Sequence, residues 1–170
     1  MNNRKFVSLS KLDQKRLAND FGELRQWVDS GELESYGQLS ISVFDHWLSA
    51  NEARAELGGI SENRQRSHNK KLHSFVSELT SQTECYLVKF TGRRRENMTF
   101  RKFTSATARN QFLTPAPFDI SNRWRFTLVF PELEAIYFER CDFTHDVFFR
   151  EHGKLRKLEK AAQDAGVYAL

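Results

Sequence analysis

Apolar residues recur with a helical period along the first half of the chain. One helix is predicted over 11–29, a second after Gly37 and a third after Ser61. Their inward positions are spaced three or four residues apart: Leu17, Phe21, Leu24 and Val28; Leu39, Val43 and Trp47; Leu72, Phe75, Val76 and Leu79. Gly31 and the pair Gly58–Gly59 follow the first two runs, and glycine tolerates the left-handed backbone that ends helices. The pattern therefore predicts a group of three N-terminal helices.

From Glu84 onward the pattern changes to short runs rich in Val, Phe, Tyr and Thr, which favour β-strands. Residues 85–90 and 98–104 are predicted to pair as a hairpin around a loop that carries three consecutive arginines. Further strands are predicted over 135–140 and 143–150. About twenty residues separate the second run from the third, but short connections join the later runs, so successive strands are expected to lie side by side as an antiparallel meander.

The clearest alternation of apolar and polar residues lies between residues 123 and 130. It predicts a strand with one face in the core and one face in water. The apolar side holds Trp124, Phe126, Leu128 and Phe130, and the other side holds Arg123, Arg125, Thr127 and Val129. A last amphipathic helix over 154–165 is expected to cover the apolar face.

These elements predict an α+β fold: an N-terminal three-helix group followed by an antiparallel β-meander of about five strands, with a C-terminal helix packed on it. At 170 residues the chain is predicted to be a single domain, 1–170. An alternative division has a helical subdomain over 1–82 and a subdomain of sheet and helix over 83–170. The pattern leaves open whether the first helices pack on the sheet.

Composition excludes several classes of protein. Hydrophobic residues make up 39% of the chain and the mean hydropathy is -0.62, with no run near the ~18 apolar residues that a membrane span requires. A cytoplasmic protein with no membrane partner is therefore predicted. The two cysteines, Cys85 and Cys141, are too few for a disulfide scaffold or a cysteine-based zinc site. No metal, cofactor or catalytic residue is predicted, and the oligomeric state is open.

The charge of the chain is concentrated in its middle. The formal net charge is +4, which divides into -2 for 1–60, +8 for 61–130 and -2 for 131–170. A basic stretch of this kind predicts affinity for phosphates, because Lys and Arg neutralise a nucleic-acid backbone. The candidate contacts for nucleic acid or another anion are Arg64, Arg66, Lys70, Lys71, Arg93, Arg94, Arg95, Arg101, Arg123 and Arg125. The sequence thus favours a small, non-enzymatic module that binds nucleic acid.

Two other interpretations of these basic residues stay open. The basic surface, or the aromatic-rich stretch 105–123, equally suits a regulator or inhibitor that binds an acidic protein surface. In the second interpretation these cations have no binding role: they are solvated at the surface or paired with the acidic ends of the same chain. No zinc-finger, RNA-recognition-sheet or helix-turn-helix motif is present to decide between them.

An enzyme with a site near Asp142 and His145 is the third hypothesis. The stretch 141–146 holds a thiol, two carboxylates and an imidazole, which are groups used in acid–base and nucleophilic chemistry. On a strand, however, His145 points to one side and Asp142 and Asp146 to the other. The spacing therefore favours structural roles for these side chains.

Overall fold

The fold is built around one antiparallel sheet whose strands come from both halves of the chain. The computed structural model describes residues 5–92, 97–114, 126–140 and 142–170. Within these ranges the α-helices are α1 (Lys11–Asp20), α2 (Leu24–Ser30), α3 (Ala50–Leu57), α4 (Glu62–Gln82), α5 (Ala106–Leu113) and α6 (Leu155–Ala165). The strands are β1 (Phe6–Ser8), β2 (Gly37–Ser42), β3 (Tyr86–Thr91), β4 (Asn97–Phe103), β5 (Thr127–Phe130), β6 (Ala135–Phe138), β7 (Thr144–Phe149) and β8 (Tyr168–Ala169).

The order of the strands places the N-terminal strand at one edge of the sheet and the C-terminal strand at the other, with β2 next to it. Over the described ranges the order is β1-β4-β3-β5-β6-β7-β2-β8, and each neighbouring pair is antiparallel. The predicted hairpin is confirmed, since β3 and β4 pair up to Thr91 opposite Asn97. The strands β5, β6 and β7 are consecutive neighbours and form a meander.

Helices cover both faces of the sheet. On one face α1 and α2 pack, and the Trp27 ring stacks on Phe138 with ring centroids 4.0 Å apart. On the other face α4, α5 and α6 pack, and Phe75 lies over Tyr137 with ring centroids 6.3 Å apart. Aromatic rings remove large apolar areas from water, so both layers stabilise the sheet. None of the described helices has the length and apolar character needed to span a membrane.

The predicted arrangement is wrong in the number and order of its elements, although the structure belongs to the α+β class. The described residues form eight strands instead of about five. They also form no N-terminal group of three consecutive helices, because β1 and β2 interrupt that region and lie in the sheet. The C-terminal helix, α6, packs beside α4 on one face instead of covering that face alone.

The stretch after Gly37 is the largest local correction, because it forms β2 and not a helix. Leu39 and Val43 are four residues apart, which fits a helical period, but with Ile41 between them they equally alternate as on a strand. Gly37 begins this strand and does not break it. The ring of Phe149 on β7 lies across it, and a Cβ at position 37 would stand 2.9 Å from that ring.

The face of β5 predicted to be in water is buried. Thr127 and Val129 are 2% and 0% exposed, because the α1 and α2 layer covers their side of the sheet. Thr and Val occur on exposed and on buried faces of strands, so this alternation does not show whether the sheet is covered on one face or on both. The predicted first helix is also divided, since α1 ends at Asp20 and α2 begins at Leu24.

Candidate functional site

One end of the sheet gathers the boundaries of most strands. β3 ends there at Thr91 and β4 begins at Asn97. The same end holds the start of β5 at Thr127 and the end of β6, its partner. β7 begins and β2 ends at this end as well. We call this the hairpin end of the sheet.

Residues that flank the predicted arginine clusters lie at the hairpin end. The predicted contacts that fall outside the described residues are Arg93, Arg94, Arg95, Arg123 and Arg125. The first arginine cluster, 93–95, follows Gly92 and precedes Asn97, whereas the second, formed by the arginines at 123 and 125, directly precedes Phe126. Both clusters are therefore attached to the sheet at the same end.

The β3–β4 hairpin carries two further cations on the face that holds α4, α5 and α6. Lys89 and Arg101 alternate with residues buried on the opposite face, so both point to this side. Neither forms an ion pair with a described residue. Lys102 points to the other side, where its Nζ lies 2.7 Å from the Glu84 carboxylate. Arg101 lies about 13 Å from the start of β4, so of these cations only Lys89 is near the hairpin end.

The first half of α4 reaches the hairpin end through His68. Its ring lies between Phe44, which follows β2, and Phe143, which precedes β7, with ring centroids 5.7 and 5.1 Å away. Both ring nitrogens are buried and form no hydrogen bond with a described residue. This burial, with the nearby cations of Arg64 and Lys71, holds the pKa of His68 below its usual value. The His68 side of α4 therefore packs against the protein instead of facing water.

The basic residues of α4 divide into paired and unpaired cations. Arg64 forms an ion pair with Glu56 of α3, and Arg66 pairs at 2.7 Å with the glutamate one turn before it. Lys70 and Lys71 are exposed and form no ion pair with a described residue. A carboxylate that neutralises a guanidinium reduces the field that a phosphate experiences there. The two lysines are therefore the more available cations of this helix.

Side chains around β7 do not form a shared catalytic group. His145 points to the face of α4, where its Nδ1 is hydrogen-bonded to the Tyr137 hydroxyl. Asp146 points to the opposite face, where its carboxylate accepts a hydrogen bond from Arg140 at 2.6 Å and one from the Ser40 hydroxyl at 3.2 Å. Because the sheet separates them, the imidazole and the carboxylate cannot act on one bound molecule.

The rest of the 141–146 stretch shows local hydrogen bonding. The Asp142 carboxylate accepts a hydrogen bond from the backbone N–H of Thr144 at 3.2 Å, and Cys141 lies outside the described residues. Across the part of the chain that the structure describes, no group of three or more His, Cys, Asp or Glu side chains is placed to hold a metal ion.

The aromatic-rich stretch 105–123 is described as far as residue 114, and the apolar side of that part packs against the core. The Phe112 ring of α5 packs against Phe6, Phe103 and Phe126, with ring centroids 5.1, 5.6 and 5.2 Å apart. A ring that already packs against three others is not available to a partner. The described part of this stretch therefore holds α5 on the sheet.

A cleft of about 330 Å³ lies on the β2 side of the hairpin end, between the β2–α3 connection, α3, the start of α4 and β8. Asp45, Glu52 and Glu56 bring carboxylates to this acidic cleft, against the guanidinium of Arg64. His46 lies 2.6 Å from Asp45 and 3.3 Å from Glu52, and these hydrogen bonds raise its pKa. The cleft is therefore opposite in charge to the β3–β4 side.

The spacing of hydrophobic residues does not predict this cleft. Trp47 shares the helical spacing of Leu39 and Val43, which predicts a core position, whereas the structure leaves Trp47 65% exposed. A capping box in the sequence indicates where the β2–α3 connection ends and α3 begins. In it the side chains of Ser49 and Glu52 each accept a hydrogen bond from the other's backbone N–H, and α3 starts at residue 50. Read in the sequence as S-x-x-E, the box places Trp47 in the connection before a helix.

No protein-family model, curated protein or solved structure matches the chain. The residues grouped at the hairpin end are therefore the basis for a functional proposal. Among the described residues they comprise the unpaired cation Lys89 on the β3–β4 side and the acidic cleft beside α3.

Proposed function

We propose that the protein is a non-enzymatic module of the cytoplasm that binds nucleic acid at the hairpin end. The observation that carries the proposal is that the flanks of both arginine clusters and the exposed Lys89 lie at one end of the sheet. Guanidinium and ammonium groups bind phosphate through charge and hydrogen bonds, and arginine adds planar bidentate geometry. A common end for these residues favours a single phosphate-contacting surface.

The width of the hairpin end suits a short length of phosphate backbone. Five strand spacings separate β4 from β2, or about 24 Å in all. Lys70 and Lys71 stand near its β2 limit, because they lie within one turn of His68. Phosphates of one strand of duplex DNA are ~3.4 Å apart along the axis, so this width corresponds to about seven base pairs.

The predicted contacts differ in the role we assign to them. The arginine clusters and Lys89 are the principal contacts, and Lys70 and Lys71 extend the surface toward β2. Arg64 and Arg66 contribute less, because each is paired with a carboxylate. Arg101 is set back along β4 and would contact only a ligand that extends over the hairpin face.

A salt titration of binding tests this function. Purified, nuclease-treated protein is titrated onto labelled DNA and RNA, and the logarithm of affinity should fall with the logarithm of salt by about 0.9 per neutralised phosphate of a duplex. The triple variant R93A/R94A/R95A should lower the affinity and reduce that slope by about 2 to 3. The matched control R156A/K157A/K160A removes the same charge from α6 and should leave the slope unchanged.

Three results would contradict nucleic-acid binding at this surface. They are the absence of binding at low salt, an equal loss in the α6 control, and a slope that the arginine substitutions do not change. An acidic protein that stays bound in stoichiometric amount after nuclease treatment, and is lost in R93A/R94A/R95A, would instead support the regulator of an acidic partner. Duplexes shorter than about seven base pairs should bind more weakly than longer ones.

A further inference from the structure

One exposed aromatic side chain lines the acidic cleft, and a second belongs to the β2–α3 connection that forms one of its walls. In the described ranges the exposed large hydrophobic residues are Val7, Leu12, Trp47 and Tyr168. Tyr168 lines the cleft and is 48% exposed, and Trp47 lies between two residues that line it. Trp and Tyr dominate the centres of protein interfaces, because they bury a large area with few rotatable bonds. Their exposure beside a concave site favours a polypeptide partner.

The charge of the cleft restricts the chemistry of that partner. Asp45 uses one carboxylate oxygen for His46, and Glu56 uses one for Arg64. The second oxygen of Asp45 and of Glu56 forms no hydrogen bond with a described residue, so each can accept one from a ligand. A phosphate is repelled by these carboxylates, whereas a guanidinium or ammonium group is attracted to them and to the face of an exposed indole.

We propose that the acidic cleft docks a partner protein through a segment that carries arginine or lysine beside a large apolar residue. The cation binds the carboxylates of Asp45 and Glu56, and the apolar residue packs on Trp47 and Tyr168. Charge complementarity selects this occupant over nucleic acid. The docking site shares Arg64 with the edge of the proposed phosphate surface, but its binding groups are carboxylates and aromatic rings on the β2 side and none of the arginine clusters.

Synthetic peptides test this site directly. The probe is a fluorescein-labelled peptide of alternating arginine and leucine, compared with one of glutamate and leucine, and binding is measured by fluorescence anisotropy. The arginine peptide should bind and the glutamate peptide should not. Trp47→Ala and the double variant D45N/E56Q should each weaken binding by about tenfold or more. The matched controls, Leu12→Ala and E32Q/E34Q, change an exposed apolar residue and two exposed carboxylates elsewhere and should stay within about twofold.

Each alternative result overturns the docking proposal. Equal binding of the two peptides, no binding of the arginine peptide, or equal weakening by the control variants would show that the cleft does not select a basic, apolar segment. Self-association of the protein in sedimentation, abolished by Trp47→Ala, would identify a second copy as the occupant instead. R93A/R94A/R95A should keep the affinity for the arginine peptide, so loss of nucleic-acid binding and loss of peptide binding are distinguishable.

Discussion

The two sides of the hairpin end pair their charges differently. On the β3–β4 side, Lys89 has no carboxylate partner among the described residues, and an arginine cluster follows it in sequence. On the β2 side, Glu56 binds Arg64, and two further carboxylates enclose His46. An unpaired cation retains its attraction for an external phosphate, whereas a paired one must first lose its carboxylate. Pairing, more than the net charge of +4, therefore decides which surface attracts anions.

Removing the ring of Phe143 should have the largest effect on this arrangement, because that ring holds α4 at the hairpin end. Phe143 is 3% exposed, contacts His68, and accepts a backbone hydrogen bond from Val43 at 3.2 Å. We expect Phe143→Ala to lower the free energy of unfolding by about 3 kcal/mol in urea unfolding. Amide exchange in the first half of α4 should become faster.

The control for this variant is Leu12→Ala, at a position that is 78% exposed. It removes an apolar side chain without leaving a cavity, so the free energy of unfolding should change by less than about 0.5 kcal/mol. Unchanged amide exchange in α4 of Phe143→Ala would contradict the conclusion that the Phe143 ring holds this helix against the strand ends.

Loss of the acidic partner should lower the free energy of unfolding more in a buried ion pair than in an exposed one. The Asp146 side chain is 9% exposed and that of its partner Arg140 35%, against 68% for Asp45 and 56% for His46. Asp146→Asn should lower the free energy of unfolding by about 2 kcal/mol, less than a fully buried pair would, because the guanidinium keeps partial contact with water. Asp45→Asn should cost less than about 0.5 kcal/mol. Urea unfolding measures both, and equal losses would contradict the difference in burial.

Elements with strong local signals are predictable from the sequence. The β3–β4 hairpin follows from two strand-like runs around a loop, and α6 follows from its amphipathic spacing and the glycine after it. The opposite directions of His145 and Asp146 also follow from the period of a strand. In these cases the residues that determine the structure are neighbours in the chain.

The position of β2 and the acidic cleft are not predictable in this way. Ser40 of β2 pairs with Asp146, 106 residues further along the chain, and nothing near Ser40 identifies that partner. The burial of Thr127 likewise depends on α1 and α2 packing on the far side of the sheet. The exposure of Trp47 is a property of the folded surface, and Tyr168 joins the lining of the cleft only once β2 and β8 are paired.

Releasing Arg64 and Arg66 from their carboxylates should make the α4 side resemble the β3–β4 side. The variant E56Q/E62Q removes both partners, and exposed ion pairs contribute at most about 1 kcal/mol, so folding should be nearly unchanged. Affinity for nucleic acid at low salt should rise by up to about fivefold, while affinity for the arginine peptide should fall. E32Q/E34Q is the control for net charge. A change of both affinities in the same direction would contradict two separate surfaces.

The smallest expected effect is on the pH dependence of stability, because the pKa values of two histidines are shifted in opposite directions. Burial and neighbouring cations hold the pKa of His68 below 6.5, whereas hydrogen bonds to two carboxylates hold that of His46 above it. The unfolded chain then protonates more readily at His68, so the stability from its neutral ring is present above about pH 6.5 and lost as the pH falls. For His46 the protonated ring stabilises the fold below about pH 6.5, and this contribution is lost as the pH rises through its raised pKa.

NMR titration of the ring protons measures both pKa values in one sample. Glu56→Gln should lower the pKa of His68 further, because the Glu56 carboxylate favours its protonated form. Asp45→Asn should move the pKa of His46 down toward 6.5 and leave that of His68 in place, because Asp45 bonds only the exposed ring. A pKa of His68 above 6.5 would mean that its ring is hydrated, and the contact that joins α4 to the hairpin end would then be absent in solution.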